Sequence, residues 1–376
     1  MAPPSQRRDA DGTPTTMNTI HILHADGISA AGNTPQDAAK TFYAAEQPFR
    51  VPSHFNYKDL KLGVIDGLTP EQGQSRAFAL IQRLCSRLPA LPPDTRLYLA
   101  TTVGAIDILE QAAADEKPDC TGLLLQEAKR LTHCQDVILV AAACASGQTA
   151  TAMAMRALSL NHCKYALVIG IDITSEFVTG GFASLRAYSK TIAHPYDANR
   201  DGLLLGEGAG ALLLSQDDDN QSLGELISAF ESCDASHITA PDLTGETLAA
   251  LINRTLDDAH LTPNDIGCII GHGTGTVFND ASEIAALNRV FATPRPLISI
   301  KGNTGHTLGA TGVLQIVYAL QFLKHGQLPP QAGLTTPAEG AEGFVSTKAQ
   351  PLQSNLVLSL NVGFGGLNST ILLQSK

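Results

Sequence analysis

The sequence is most informative at first for what it lacks. It contains no tryptophan, four methionines and 5% aromatic residues, and no apolar run approaches the ~18 residues that a membrane span requires. The seven cysteines are odd in number and form no CxxC pair or other metal-binding spacing, which indicates a reduced, cytoplasmic protein without a disulfide framework or metal. The net charge of −11 argues against nucleic acid as a partner.

What is present describes a folded α/β protein. Hydrophobic residues make up 44% of the 376 residues, and there are 33 glycines. Residues 1–18 begin with a polar, proline-rich stretch without the apolar core of a signal peptide, so we interpret them as a disordered tail.

Apolar strand patterns alternate with helical patterns along the rest of the chain, and the second half repeats the first. We predict two similar α/β halves, residues 19–217 and 222–376, each built on a mainly parallel sheet. The glycine-centred stretch 203–215 is predicted to form a two-stranded hairpin, repeated by 356–373 in the second half. The functional site is expected at the junction of the halves.

Cys144 is the first candidate nucleophile. It follows the buried strand pattern 136–140 and precedes the helix-forming stretch 148–160, so it is expected near a helix N-terminus. Unpaired N–H groups and the helix dipole there would lower the pKa of the thiol and favour the nucleophilic thiolate. The alternative is a buried, inert cysteine, and this stretch alone leaves both interpretations open.

Three motifs in the second half follow predicted strands at positions that mirror the first half. They are GHGTGT at 271–276, KGNTGH at 301–306 and NVGFGG at 361–366. Each alone is a weak signal, because a single histidine or glycine cluster after a strand is common. Together with Cys144 they indicate one composite site.

These residues resemble the β-ketoacyl-(acyl carrier protein) synthases, the condensing enzymes of the thiolase superfamily. The resemblance rests on AAACASGQTATAMA around Cys144, HPYDANRDGLLLGEGAG, HGTGTVFNDASE around His272, KGNTGHTLGATG around His306 and NVGFGGLNST. It implies a thiolase-like fold, with two duplicated halves forming a five-layered α-β-α-β-α core. It also implies a cytoplasmic dimer, homo- or heteromeric, that acts on substrates held by an acyl carrier protein, without a cofactor.

The resemblance also implies a role for each site residue. Cys144 would carry the acyl group, and the main-chain N–H groups of Cys144 and Phe364 would form the oxyanion hole. His272 and His306 would stabilise the enolate formed by decarboxylation, with Lys301 as electrostatic support. The remaining assignments are pantetheine binding by Thr274 and Thr276, support by Asp280, Glu283 and Gln315, gating by Phe364 and carrier docking by Arg186.

The expected activity is decarboxylative condensation of an acyl group with malonyl-acyl carrier protein, an acyltransferase reaction of fatty-acid or type II polyketide synthesis. The short segment before Cys144 suggests a specialised branch such as aryl-polyene-like pathways. Gln315 stands where the family usually has glutamate, which would have held the charges of Lys301 and His306. The alternative function is a non-catalytic or weakly active partner subunit resembling a chain-length factor. Ile106, Ile108, Phe182 and Leu185 are candidates to line the acyl pocket.

Overall fold

The computed structural model describes residues 19–52, 60–68, 74–113, 115–218, 221–234 and 237–376. The predicted tail, residues 1–18, lies outside the described residues. Within the described ranges, no helix is both long enough and apolar enough to cross a membrane.

The strands of the described residues are β1 (Ile20–Ser29), β2 (Arg96–Ala100), β3 (Val137–Val140), β4 (Tyr165–Asp172), β5 (Gly208–Ser215), β6 (Gly224–Cys233), β7 (Cys268–Ile270), β8 (Leu297–Ile298), β9 (Gln327–Leu328), β10 (Gln350–Pro351), β11 (Leu356–Gly363) and β12 (Leu367–Gln374). The α-helices are α1 (Pro35–Tyr43), α2 (Arg76–Cys85), α3 (Ile106–Gln111), α4 (Cys120–Thr132), α5 (Ser146–Ser159), α6 (Glu176–Ser184), α7 (Glu246–Asp258), α8 (Val277–Val290), α9 (Lys301–Thr304) and α10 (Thr311–His325).

The strand order shows the duplication directly. Ten strands of the described residues form one sheet in the order β3-β2-β4-β5-β1-β6-β12-β11-β7-β8, so the second five repeat the first five in mirrored order. The halves join where β1 pairs with β6 over the short register Ile20↔Leu226 to Ile22↔Gly224. The duplicated fold predicted from the sequence is therefore present, whereas the exact domain bounds 19–217 and 222–376 stay a prediction.

Each half is a mixed sheet, so the prediction of mainly parallel sheets is wrong. β2 runs parallel to β3 and β4, but β5 is antiparallel to both β4 and β1. The second half is the same, because β11 is parallel to β7 but antiparallel to β12. The turn Phe364–Gly366 explains the reversal, since Gly365 and Gly366 adopt φ angles of +85° and +75° that favour glycine and return the chain directly beside β11.

Five layers follow from the packing of the helices. Helices α5 and α10 contact strands of both halves and form the central layer, while α2 packs on the outer side of the first half and α7 on that of the second. Successive strand residues face opposite layers: Val168 of β4 belongs to the inner core and Ile169 to the outer core. The five-layered α-β-α-β-α core is thus confirmed.

Glycines allow the two central helices to meet backbone to backbone. A Cβ at Gly147 would lie 2.8 Å from the oxygen of Gly309, and one at Gly312 would lie 2.3 Å from the nitrogen of Gln148. Both contacts are closer than a side-chain carbon tolerates, so only glycine permits this approach. Helices α5 and α10 therefore begin against one another, at the junction of the halves.

The predicted hairpin at 203–215 is wrong. Only β5 is a strand there, and its antiparallel partners are β4 and β1. A Cβ at Gly206 would lie 2.0 Å from the oxygen of Thr304, which shows how closely the preceding segment approaches the second half. Residues around Leu205 therefore bridge to His306 instead of pairing with β5.

Candidate active site

Cys144 lies in a sharp turn between β3 and α5. Ala143 adopts φ +48°, which is unfavourable for a residue with a side chain. The hydroxyl of Ser146 holds the turn, donating to the oxygen of Ala143 at 2.5 Å and accepting from the nitrogen of Ala142 at 2.8 Å. The turn directs the thiol into a cavity, although Cys144 is only 6% exposed.

The pKa of the Cys144 thiol is raised, contrary to the expectation from its place before a helix. Burial raises the pKa from 9.0 to about 12. The charge of Lys301 and the main-chain N–H groups of Phe364 and Cys144 act in the opposite direction, but they are outweighed. The pattern correctly placed the cysteine at a helix N-terminus but could not show its desolvation.

His306 is fixed next to Cys144 by main-chain hydrogen bonds. Its nitrogen donates to the oxygen of Leu204 at 2.7 Å, and its oxygen accepts from the nitrogen of Gly206 at 3.0 Å. Its Nδ1 accepts from the nitrogen of Leu308 at 3.3 Å, which leaves the proton of the neutral ring on Nε2. That Nε2 lies 3.0 Å from the Sγ of Cys144, so His306 donates towards the sulfur.

His272 lies across from His306, with ring centroids 5.5 Å apart and the rings nearly perpendicular. Burial, followed by the charge of Lys301, holds the pKa of both histidines well below 6.5, so both are neutral at neutral pH. The Nζ of Lys301 hydrogen-bonds the oxygen of His272 and lies 3.4 Å from its Nδ1. Burial lowers the pKa of Lys301 from 10.5 to about 8, so the amine is mostly charged at neutral pH.

Two buried carboxylates shape the loop that carries His272. Glu283 accepts from the nitrogens of His272 and Gly273 at 2.6 and 2.8 Å, and from the hydroxyl of Tyr196 at 2.9 Å. Asp280 accepts from the nitrogen of Thr274 at 2.9 Å and from that of Tyr196 at 2.8 Å. Burial raises the pKa of Glu283 to about 7 and also raises that of Asp280. Both side chains therefore hydrogen-bond the main chain of the loop that carries His272.

Gln315 lies beside His272 but hydrogen-bonds neither Lys301 nor His306. Its Nε2 donates to the oxygens of Gly271 and Leu360 at 3.0 and 3.1 Å. Its Oε1 faces other buried polar side chains, namely Gln148, Ser359 and Asn361. The residue therefore belongs to a neutral amide network behind His272.

The cavity in front of Cys144 has a volume of about 440 Å³. Thr274 and Thr276 line it, with their hydroxyls 2.8 Å apart. Phe364 is 38% exposed at its wall and stacks on Phe182 with a centroid separation of 5.8 Å. The other predicted residues that line it are Leu185, Arg186, His272 and His306.

Two predicted pocket residues are not part of this cavity. Ile106 is buried in α3, and Ile108 packs against the outer core of the first half. Within the described ranges, no group of three or more His, Cys, Asp and Glu side chains could hold a metal ion.

Sequence reasoning missed several residues that build the site. Tyr196 supports the His272 loop, Ser146 holds the nucleophile turn, and Asn361 contacts the Nδ1 of His272 at 2.7 Å. Tyr196 and Asn361 lie within motifs already noted, but only the folded chain shows which partners they reach.

Comparisons with known proteins identify the family of this chain. The family model described as Beta-ketoacyl synthase, N-terminal domain, matches residues 136–220, and that of the C-terminal domain matches residues 223–335. Together they span more than half of the chain. The chain belongs to the β-ketoacyl synthase family. The family models and the curated relatives support a type II ketosynthase of the thiolase superfamily.

Curated relatives of this ketosynthase include 3-oxoacyl-[acyl-carrier-protein] synthase 2 of Coxiella burnetii, 31% identical over 253 residues. That match covers 63% of this chain and 61% of the relative. The Staphylococcus aureus protein of the same name is 29% identical over 247 residues, covering 62% and 61%. The chain therefore spans about three fifths of the length of the curated relatives that it matches.

Solved structures match nearly the whole length of this chain. A β-ketoacyl synthase from Burkholderia phymatum superposes with a TM-score of 0.85 and 21% identity, covering 96% of this chain and 100% of that one, and it supports the fold alone. A chain of the Xenorhabdus doucetiae ketosynthase in complex with its chain length factor gives a TM-score of 0.83 and 26% identity, covering 96% and 98%.

Proposed function

We propose that this ketosynthase catalyses decarboxylative Claisen condensation between an acyl group on Cys144 and malonyl-acyl carrier protein. The single observation that carries the proposal is the 3.0 Å contact between the Sγ of Cys144 and the Nε2 of His306, at the end of a cavity that His272 also lines. The product is a β-ketoacyl carrier thioester of fatty-acid or type II polyketide synthesis, and the specialised branch that we propose is an aryl-polyene-like pathway.

Acyl transfer is the first step. The thiol of Cys144 gives up its proton and its sulfur attacks the thioester carbonyl of the acyl carrier. A new C–S bond forms, the C–S bond to the carrier breaks, and the carrier leaves as a thiol that has taken up that proton. The main-chain N–H groups of Cys144 and Phe364 point towards the sulfur in the free protein. In this step they would stabilise the negative charge that develops on the carbonyl oxygen of the thioester. The hydroxyls of Thr274 and Thr276 line the cavity that would hold the pantetheine arm.

Decarboxylation and condensation follow. The bond between the malonyl α-carbon and its carboxylate breaks, CO2 leaves, and the electron pair remains as the enolate of the thioester. His306 presents an Nε2–H to that enolate oxygen, and His272 provides a second donor when its proton is on Nε2. The enolate carbon then attacks the acyl carbonyl and releases the thiolate of Cys144, while the charge of Lys301 supports the developing negative charge.

The proposed partners are an acyl carrier protein and a second ketosynthase-like subunit, identical or different. Arg186 at the cavity rim is a candidate contact for the acidic carrier. The residues above supply each step, so we propose no resident cofactor. Seven unpaired cysteines fit a reducing compartment, which we propose to be the cytoplasm.

A second candidate function is that of a non-catalytic or weakly active subunit. The similarity to a chain from a complex of a ketosynthase with its chain length factor is the observation that favours it. Against it, this chain retains Cys144, His272, Lys301 and His306 in one site. We therefore favour the active enzyme.

Intact-mass spectrometry with a panel of acyl carrier thioesters tests the proposal. Wild type and the Cys163→Ala variant, which alters a half-buried cysteine outside the site, are expected to gain one acyl group, and Cys144→Ala none. Malonyl carrier should then discharge the adduct as a product two carbons longer. If no donor acylates wild type, with or without a partner subunit, the condensing function is refuted.

A further inference from the structure

A buried chain of amides connects Gln315 to His272. Gln315 and Asn361 are completely buried, so every polar atom needs a partner within the protein. The Nε2 of Gln315 faces two main-chain oxygens, those of Gly271 and Leu360. Because main-chain oxygens only accept, this end of the side chain must be the NH2 group, and its orientation is fixed.

The orientation of Gln315 determines that of Asn361. With its Nε2 committed, Gln315 presents Oε1 to the side-chain amide of Asn361, whose Nδ2 lies 3.3 Å away. Asn361 must therefore turn its Oδ1 to the other side, where it lies 2.7 Å from the Nδ1 of His272. An amide oxygen at this distance requires a proton on that ring nitrogen.

Opposing groups act on the same nitrogen. The main-chain N–H of Val362 points at the Nδ1 of His272 from 3.1 Å, and the Nζ of Lys301 lies 3.4 Å from it. Both are donors and favour a proton on Nε2 instead. The contact with Asn361, at 2.7 Å, is the shortest of the three and favours a proton on Nδ1.

We propose that Gln315 is a positioning residue that, through Asn361, places the proton of neutral His272 on Nδ1. This inference rests on the proposed function. The free site then holds an unequal pair: His306 offers an Nε2–H donor, whereas His272 offers an Nε2 lone pair. Gln315 thereby withholds the second donor for the malonyl enolate and restrains decarboxylation until the proton moves.

Nitrogen NMR of the full-length protein with 15N-labelled histidine reads the tautomer directly, with His272→Ala used to assign the signals. Wild type should show the proton of His272 on Nδ1. Gln315→Met removes the acceptor that orients Asn361 and should move the proton to Nε2. Gln148→Met is the matched control, because Gln148 also contacts the Oε1 of Gln315, at 3.1 Å, but does not hydrogen-bond His272; it should behave as wild type.

A proton on Nε2 in wild type, or an unchanged tautomer in Gln315→Met, overturns the proposal. If Gln315→Met does not fold, Asn361→Leu removes the accepting oxygen itself and should give the same move to Nε2; an Nδ1 proton in that variant is equally contradictory.

Rates provide a readout that a purely structural role would not change. Gln315→Met should raise malonyl decarboxylation relative to acylation of Cys144 by about tenfold or more, since one preorganised donor contributes ~10²–10³-fold in rate. Gln148→Met should leave the ratio unchanged, and a ratio unchanged in Gln315→Met contradicts the proposed restraint. Absence of both acylation and decarboxylation in all variants would instead refute the proposed function, while the NMR result still decides the tautomer.

Discussion

Replacing His306 should make the Cys144 thiol markedly less reactive. Burial raises its pKa to about 12, so the thiolate fraction near pH 8 is on the order of 10⁻⁴. The Nε2–H of His306, 3.0 Å from the sulfur, stabilises that thiolate. A hydrogen bond to a charged group contributes ~1.5–3 kcal/mol, or about one to two pKa units. His306→Leu should therefore slow alkylation of Cys144 about 10- to 100-fold at this pH.

The assay is the rate of iodoacetamide alkylation across a pH series, followed by peptide mapping because the exposed Cys233 also reacts. His306→Gln is the matched variant, since its amide can donate to the sulfur and should recover part of the rate. A wild-type rate and pH profile in His306→Leu would refute the conclusion that His306 stabilises the thiolate.

Three further substitutions test the residues that support the site. Tyr196→Phe removes a hydroxyl that donates to a buried carboxylate and should lower the unfolding free energy, measured in urea, by ~1–3 kcal/mol. Gly206→Ala should destabilise the protein and abolish condensation, because its Cβ would lie 2.0 Å from a main-chain oxygen; Gly181→Ala, with no atom within 4 Å of the new Cβ, should do neither. Burial raises the pKa of Asp172 from 3.8 to about 6. Between about pH 4 and pH 6 the folded chain therefore retains a proton on this carboxyl group that the unfolded chain has lost. The stability advantage of wild type over Asp172→Asn should therefore be largest below about pH 4 and shrink by about 3 kcal/mol by pH 7.

Each result has a contrary outcome. Unchanged urea stability in Tyr196→Phe would mean that the hydroxyl does not hold the His272 loop. Equal behaviour of the two alanine variants would contradict the close approach at Gly206. An advantage of wild type over Asp172→Asn that grows between pH 4 and pH 7 would show that hydrogen bonds, not burial, dominate the carboxyl group of Asp172.

The sequence was sufficient for the local features and for the motifs. Cys144, His272 and His306 each follow a strand in a glycine-containing motif, and the family resemblance predicts that they share one site. Features that depend on contacts between distant segments were not predictable. The failed hairpin depends on Gly206 meeting Thr304 across the halves, and the raised pKa of Cys144 depends on its burial in the folded chain.

The contact between Gly147 and Gly312 has a consequence for how this protein can change. Helix α5 starts just after the nucleophile and α10 just after the loop of His306, and the two are spaced by main-chain atoms instead of by side chains. No substitution at these glycines can change that spacing in small steps, because even the methyl group of alanine would collide with main-chain atoms of the other helix. Cavity residues such as Phe182 and Leu185, by contrast, lie on or just after α6. Substrate preference can therefore diverge while the distance between thiol and imidazole stays the same.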